Sequence, residues 1–116
     1  LEETAFRSVL LAVVADGWGW TWGVVVSSIV FGFWHVLPAF EFHENNETAA
    51  GMLGDGWRAQ ATSVVLTVLG TGAAGVGFCV LRGLSGSLLP PIVLHAALNG
   101  IGLAVTWAFA RRLRDL

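Results

Sequence analysis

Five residues of this chain carry side chains that could do chemistry together: Glu2, Glu3, His35, His95 and Asn99. A carboxylate can take a proton from water, an imidazole can orient that water, and imidazole and amide N–H groups can stabilise an oxyanion. The set is therefore suited to hydrolysis. Two histidines and a carboxylate can also bind Zn²⁺ and leave one position open for water. The residue types leave both versions open, and Glu2, His35 and His95 are the candidate ligands in the zinc version.

The histidines lie inside long apolar runs. No charged residue occurs from Gly17 to Phe40, which contains His35, or from Gly83 to Ala110, which contains His95. A titratable group at membrane depth is costly and usually marks a functional site that faces a partner rather than lipid. The runs therefore predict one buried polar site assembled from separate helices.

Each group also has a structural interpretation. His35 could be a core histidine bonded to a neighbouring carbonyl, and His95 with Asn99 could form a polar seam between helices. Glu2 and Glu3 could be a charged helix start at the membrane surface. These alternatives require no chemistry, and only the position of the side chains relative to one another can separate them from a shared site.

The composition is that of a membrane protein. The chain has 116 residues, of which 55% are hydrophobic and 12% are charged, whereas soluble domains have about 25% charged residues. The net charge of −2 shows no basic excess, so nucleic acid is not an expected partner. We expect an integral, multi-pass membrane protein surrounded by membrane lipids, in the plasma membrane if the chain is bacterial.

The sequence predicts an all-α, polytopic transmembrane bundle of about four helices, three of which come from apolar runs that are long enough to span a membrane. We expect one domain, 1–116, that is the catalytic core of a larger membrane protein, with helices at residues 2–15, 20–38, 57–81 and 86–112. Pro38 is expected to close the second helix. The polar stretch from Glu41 to Thr48 is expected to belong to a loop, in which His43 is solvated.

The arginines favour one orientation of this bundle. Arg82 lies alone on one side, and four arginines lie on the other side: Arg58, Arg111, Arg112 and Arg114. Cytoplasmic segments carry an excess of Lys and Arg, so the second side is expected to be cytoplasmic.

Helix geometry predicts how the polar groups meet. Glu3 and Arg7 are i,i+4 neighbours in the favourable order for an ion pair, and Glu2 projects about 100° away from Glu3. One carboxylate is then neutralised while the other stays free. Measured from the side of Arg82, Glu2, His35 and Asn99 all lie about 20 Å deep and His95 about 14 Å deep. The site is therefore expected nearer the cytoplasmic side, with His95 about one and a half turns short of the others.

Two further patterns are expected to be structural. The stretch Gly70-Thr71-Gly72-Ala73-Ala74-Gly75 matches the dinucleotide fingerprint, but it lies within an apolar span and no acidic residue follows until Asp115. Small residues that let helices pack closely are the better interpretation, and no nucleotide is expected. The single cysteine, Cys79, is expected to be a small buried hydrophobe.

Three short motifs occur in order along the chain. Glu2-Glu3-Thr4-Ala5-Phe6-Arg7 matches EExxxR, Phe31-Gly32-Phe33-Trp34-His35 matches FxxxH, and His95-Ala96-Ala97-Leu98-Asn99 matches HxxxN. Their order and approximate spacing resemble the CPBP family of intramembrane proteases, also called the CaaX protease or Abi family. The resemblance covers nearly the whole chain.

The resemblance implies an all-helical membrane core with protease activity. Eukaryotic members of that family cleave the last three residues from prenylated CaaX proteins. Bacterial members are described as metal-dependent proteases, some of them linked to bacteriocin maturation or self-immunity. Carried over, Glu2 would activate water together with His35, and His95 and Asn99 would complete the site as oxyanion donors or metal-site groups. The supporting residues would be Glu3, Arg7 and Phe31.

The leading hypothesis is an intramembrane endopeptidase that acts on a membrane-associated or lipid-modified protein or peptide. The alternative is a non-enzymatic membrane module, such as a bacteriocin-immunity or scaffold protein, that keeps the polar cluster for binding. A metal or small-molecule transporter is a weaker third hypothesis, because no inverted repeat is visible in the sequence.

Overall fold

The structure is a computed structural model, and it describes residues 1–45, 51–54 and 56–115. Every regular element within these ranges is helical. The first helix, α1, has π-helical geometry over Thr4–Leu10 and continues as an α-helix over Leu11–Trp18. The other helices are α2 (Trp20–Trp34), α3 (Val36–Asn45), α4 (Trp57–Ser85) and α5 (Leu89–Arg114).

Three stretches are long and apolar enough to cross a membrane: Trp20–Asn45, Trp57–Ser85 and Leu89–Arg112. The first of them combines α2 and α3, and α1 is not among them. These stretches confirm the helical membrane bundle that the composition predicts. They also make the chain an integral membrane protein.

Several helix bounds differ from the expected ones. The first helix runs on to Trp18, and Gly19, with φ of 89°, separates it from α2. The helix α4 continues to Ser85 rather than ending at residue 81. It ends at Gly86, whose left-handed φ of 65° suits a residue without a side chain. The fifth helix begins at Leu89 because Pro90 and Pro91 are tolerated only in a first turn.

The expectation that Pro38 closes the second helix is wrong. The helix breaks earlier, at His35, and Pro38 lies in the first turn of α3. Proline has no N–H to donate to the carbonyl of Trp34, and its ring crowds that carbonyl, so the break precedes it. The chain from Glu41 to Asn45 is therefore helical rather than a loop, and the rest of the expected loop, 46–48, lies outside the described residues.

The solvated state expected for His43 is also wrong. Because α3 continues through this region and packs against α4, the imidazole is only 7% exposed. Next to it in the chain, Glu44 accepts a hydrogen bond of 3.2 Å from the amide of Gln60 on α4. The α3 helix thus extends the packed surface between α2 and α4.

The α2 and α4 helices pack most closely where both carry glycine. A Cβ atom added to Gly32 would lie 2.9 Å from the carbonyl oxygen of Val68 and 3.4 Å from the Cα of Gly72. The 2.9 Å contact is too short for a side chain, so the α2 backbone reaches α4 this closely only because residue 32 is glycine. Within the glycine-rich stretch the packing interpretation is confirmed at Gly75, where an added Cβ would lie 3.3 Å from the Cα of Ser28 on α2.

The core that supports the site joins α1, α2 and α4. Phe6, Phe31 and Phe78 are buried against one another. Ser27 on α2 donates a hydrogen bond of 2.8 Å to the carbonyl oxygen of Phe6, and the thiol of Cys79 lies 3.9 Å from the Ser27 hydroxyl. Cys79 is fully buried, as predicted. These contacts fix the start of α1 against the middle of the bundle.

Candidate active site

Glu3 is the buried centre of the polar cluster. Its side chain is 5% exposed, and it lies at the start of α1, where the helix is π-helical. Its Oε1 accepts a hydrogen bond of 2.8 Å from Nδ1 of His95, and its Oε2 lies 3.4 Å from Nε of Arg7. The π-helical form, which often occurs at functional sites, thus begins directly after the residue that joins α1 to α5.

Arg7 neutralises Glu3 from inside a cage of aromatic rings. Its guanidinium carbon lies 4.0 Å from the centre of the Phe31 ring, 5.0 Å from Phe78 and 5.8 Å from Phe6. Its three nitrogens have no hydrogen-bond partner in the part of the chain that the structure describes. The cation is therefore held by its carboxylate and by the faces of the rings.

Gly75 on α4 makes room for this arginine. A Cβ atom at that position would lie 2.9 Å from Nη2 of Arg7 and 3.2 Å from the ring of Phe31. The guanidinium and the Phe31 ring would both have to shift to admit such an atom. The absence of a side chain at Gly75 therefore leaves room for Arg7 beside Phe31.

His95 is held between the glutamates and the aromatic core. Its ring stacks on Phe78, with centroids 5.2 Å apart and planes at 23°, and meets Phe31 edge-on at 5.7 Å. Since the carboxylate of Glu3 can only accept, Nδ1 of His95 carries the proton. The second nitrogen, Nε2, lies 3.7 Å from Oε2 of Glu2.

Glu2 has quite different surroundings from its neighbour. Its side chain is 41% exposed, and its Oε1 accepts a hydrogen bond of 3.3 Å from the indole N–H of Trp34 at the end of α2. The predicted division of the pair is therefore seen in the structure: Arg7 contacts Glu3, and Glu2 stays outside that ion pair.

Glu2, Glu3 and His95 line one cleft of about 440 Å³. Asn99, one helical turn beyond His95 on α5, is exposed on its wall. The residues that line the cleft are Leu1, Glu2, Glu3, Ile92, His95, Ala96 and Asn99. Four of the five residues singled out from the sequence are thus brought to one place by α1 and α5.

His35 is the one that does not line this cleft. Its backbone N–H donates to the carbonyl of Gly32 instead of the carbonyl of Phe31, which it would bond in a regular α-helix. The ring nitrogen Nδ1 forms a hydrogen bond of 2.8 Å with the carbonyl of Phe31 in its place. Its ring packs edge-on against Phe31 at 4.6 Å, on a ring that also touches His95. The structural interpretation, a histidine bonded to a neighbouring carbonyl, describes these contacts and explains how the helix break at His35 is stabilised.

The predicted depths separate His95 from Glu2 by about one and a half turns, and their side chains nevertheless meet, with Nε2 of His95 3.7 Å from a Glu2 oxygen. The prediction assumed parallel helices that start and end in common planes at residues 15 and 86. In the structure α1 runs to Trp18 and α5 starts at Leu89, so the turns from which the depths were counted are not at those residues.

Three residues of the site were not found from the sequence: Trp34, Gly75 and Phe78. Gly75, Phe78 and Cys79 are all buried and follow the i, i+3, i+4 spacing of one helix face. That spacing is present in the sequence, but α4 is apolar on every side and does not show which face turns inward. No sequence pattern indicated a role for Trp34, apart from its position directly before His35.

The candidate zinc ligands do not form a metal site in this structure. Among residues 1–45, 51–54 and 56–115 there is no group of three His, Cys, Asp or Glu side chains that could hold a metal ion. Both ring nitrogens of His95 face glutamates, and Nδ1 of His35 is bonded to a carbonyl. We therefore derive no step of the chemistry through a metal.

The fold and the cleft define a polytopic helical membrane protein with a polar site suited to hydrolysis. Residues 1–101 match the family model described as Type II CAAX prenyl endopeptidase Rce1-like, and the chain belongs to this family. No curated protein and no solved structure matches the chain. The family confirms the resemblance carried by the three motifs. At family level it makes the chain a CAAX-type protease of the membrane.

Proposed function

We propose that the protein hydrolyses a peptide bond of a membrane-associated or prenylated, CaaX-type protein or peptide, with water activated by Glu2. One observation carries the proposal. An accessible carboxylate, Glu2, shares a cleft with the histidine and asparagine of the HxxxN motif, in a chain of the prenyl endopeptidase family. The neighbouring carboxylate is engaged by Arg7 and His95, so Glu2 is the one left to react.

The proposed reaction uses the cleft residues as follows. Glu2 takes a proton from water as the water oxygen bonds to the scissile carbonyl carbon. The amide of Asn99, which lines the same cleft, donates to the oxyanion that forms. Glu2 then returns the proton to the leaving nitrogen as the carbon–nitrogen bond breaks, which gives a carboxylate and an amine as products.

His95 acts from a fixed orientation in this proposal. Glu3 accepts its Nδ1–H, and Phe78 covers one face of its ring, so Nε2 points toward Glu2. In this orientation Nε2 is presented to the cleft that Asn99 also lines, and an N–H at Nε2 would donate to the oxyanion together with the Asn99 amide. Glu3 and Arg7 support the site without contacting the substrate.

His35 has a positioning role in this version rather than the water-orienting role expected from the sequence. Its imidazole fixes the carbonyl and the ring of Phe31, and Phe31 in turn contacts both Arg7 and His95. His35→Ala is expected to lower the rate of cleavage through this shared ring. A variant with full turnover would show that the site needs no support from His35.

The direct test is cleavage of a prenylated CaaX peptide by the purified protein in lipid vesicles, with the same peptide lacking the prenyl group as the control. Release of the C-terminal tripeptide, identified by mass, is the expected result. A correctly folded protein that cleaves neither peptide would contradict the proposal and favour the non-enzymatic immunity or scaffold alternative.

Chelation separates the metal-free reaction from the zinc-dependent one. The metal-free version predicts an unchanged rate after treatment with a chelator and no stoichiometric metal in the purified protein. Loss of cleavage on chelation, restored by Zn²⁺, would contradict the metal-free version. It would also require the candidate ligands to rearrange from the contacts seen here.

A further inference from the structure

Trp34 links the end of α2 to the first residues of the chain. Its indole N–H donates to Oε1 of Glu2 at 3.3 Å, across 32 positions of sequence. The ring packs edge-on against Phe6 at 6.0 Å, and Trp34 is 59% exposed. Among the described residues, the indole of Trp34 is the only group whose side chain forms a hydrogen bond with the Glu2 carboxylate.

This hydrogen bond makes the two oxygens of Glu2 different. Oε1 is occupied by the indole, while Oε2 lies 3.7 Å from Nε2 of His95, on the side of the cleft. A glutamate that is 41% exposed would otherwise sample several rotamers, and holding it in one of them costs side-chain entropy. The hydrogen bond from the indole offsets part of that cost.

We propose that Trp34 is a positioning residue for the reaction: its indole N–H holds the carboxylate of Glu2 so that Oε2 faces the water to be activated. The inference rests on the proposed role of Glu2 as the base. It assigns a function to Trp34, to which no sequence motif assigns a role. The N–H group holds Glu2, and the ring contacts Phe6. A ring without the N–H would keep the second contact and lose the first.

The first test is Trp34→Phe, which keeps an aromatic ring and removes the N–H. We expect kcat to fall by about tenfold or more while KM stays unchanged, because a misplaced base affects the transition state and not substrate binding. Trp22→Phe is the matched control, since Trp22 is equally exposed, at 58%, and its indole bonds to no described residue. Its kcat should equal that of the wild type.

A second probe covers the case in which Trp34→Phe fails to fold. Incorporation of β-(3-benzothienyl)alanine at position 34 replaces the indole N–H by sulfur and leaves the shape nearly unchanged. The same loss in kcat is expected. A wild-type kcat with this replacement would overturn the proposal, because it would show that the N–H contributes nothing.

The third test measures coupling to Glu2. In a Glu2→Asp background the carboxylate is one methylene shorter and is withdrawn from the indole, so Trp34→Phe should cause no further loss in kcat. An equal loss in both backgrounds would mean that Trp34 acts through the structure rather than through Glu2, and would overturn the proposal. Full activity of Glu2→Gln would instead contradict the proposed function itself, whatever Trp34 does.

Discussion

The site has two sides that differ in exposure and in partners. The closed side is formed by Glu3, Arg7, Phe31 and Phe78, and the open side by Glu2, Trp34 and Asn99. On the closed side a carboxylate and a cation form a buried ion pair, and two aromatic rings cover the cation. On the open side Glu2 and Asn99 line a cleft, and the Trp34 indole makes the only hydrogen bond to the Glu2 carboxylate among the described residues.

The difference between the two sides is largest at Glu2 and Glu3. They are adjacent in sequence and chemically identical, yet one side chain is 41% exposed and the other 5%. The surroundings therefore set the role of each carboxylate. A carboxylate that is paired and buried can hold other groups in place, whereas one that keeps access to water can exchange a proton with it.

The largest expected effect on stability lies on the closed side. Arg7→Ala leaves Glu3 buried without its cation, and removal of one partner from a buried ion pair costs about 3–5 kcal/mol. We expect a loss of this size in the free energy of unfolding measured in mixed micelles. Arg111→Ala is the control, because Arg111 is exposed and contacts only the ring of Trp107 among described aromatic rings. Equal stability of the two variants would contradict the claim that the buried arginine contributes more to the free energy of unfolding than an exposed one.

On the open side, Asn99→Ala is expected to change the rate and leave the fold intact. Loss of one oxyanion donor lowers kcat by about 100- to 1,000-fold. The side chain is exposed and makes no hydrogen bond to a described residue, so the free energy of unfolding should stay close to that of the wild type. An Asn99→Ala protein with wild-type kcat would mean that Asn99 donates nothing to the transition state.

A smaller effect on stability separates two glycines of α4. In Gly75→Ala the new methyl group meets Arg7 and Phe31, and overpacking of this kind costs about 1–3 kcal/mol. In Gly77→Ala nothing lies within 4 Å of the new methyl group. The better helix propensity of alanine should then leave stability unchanged or raise it by about 1 kcal/mol. Two variants of equal stability would contradict the tight fit around Arg7.

Much of the fold could be predicted from the sequence because membranes impose simple rules. Apolar runs of sufficient length predict the number and approximate place of the spans, and the glycine at position 32 allows the close helix contact that the packing rules require. The helix break could not be placed as well. Pro38 marks it, but a proline disturbs the carbonyl four residues earlier, so the break falls at His35 and α3 continues to Asn45.

The sequence motifs singled out Glu2, Glu3, His95 and Asn99, which share one cleft, but most of the contacts among the residues of the cluster could not be predicted. The spacing of Glu3 and Arg7 on one helix gave their ion pair, because i,i+4 neighbours on a helix are close in any fold. The contact of Glu3 with His95 depends on how α1 and α5 are offset along their axes, and no local pattern encodes that offset. For the same reason Phe78 and Trp34, which hold His95 and Glu2, could not be found from spacing.

The most direct test of the whole account is the rate at which Glu2→Gln cleaves a prenylated CaaX peptide, compared with Glu41→Gln, an exposed carboxylate on α3. We expect Glu2→Gln to retain the stability of the wild type and to lose about 100- to 10,000-fold in kcat, as when a general base is removed. Glu41→Gln should cleave as the wild type does. A folded Glu2→Gln protein with wild-type turnover would contradict the claim that the open side of the site carries out the reaction.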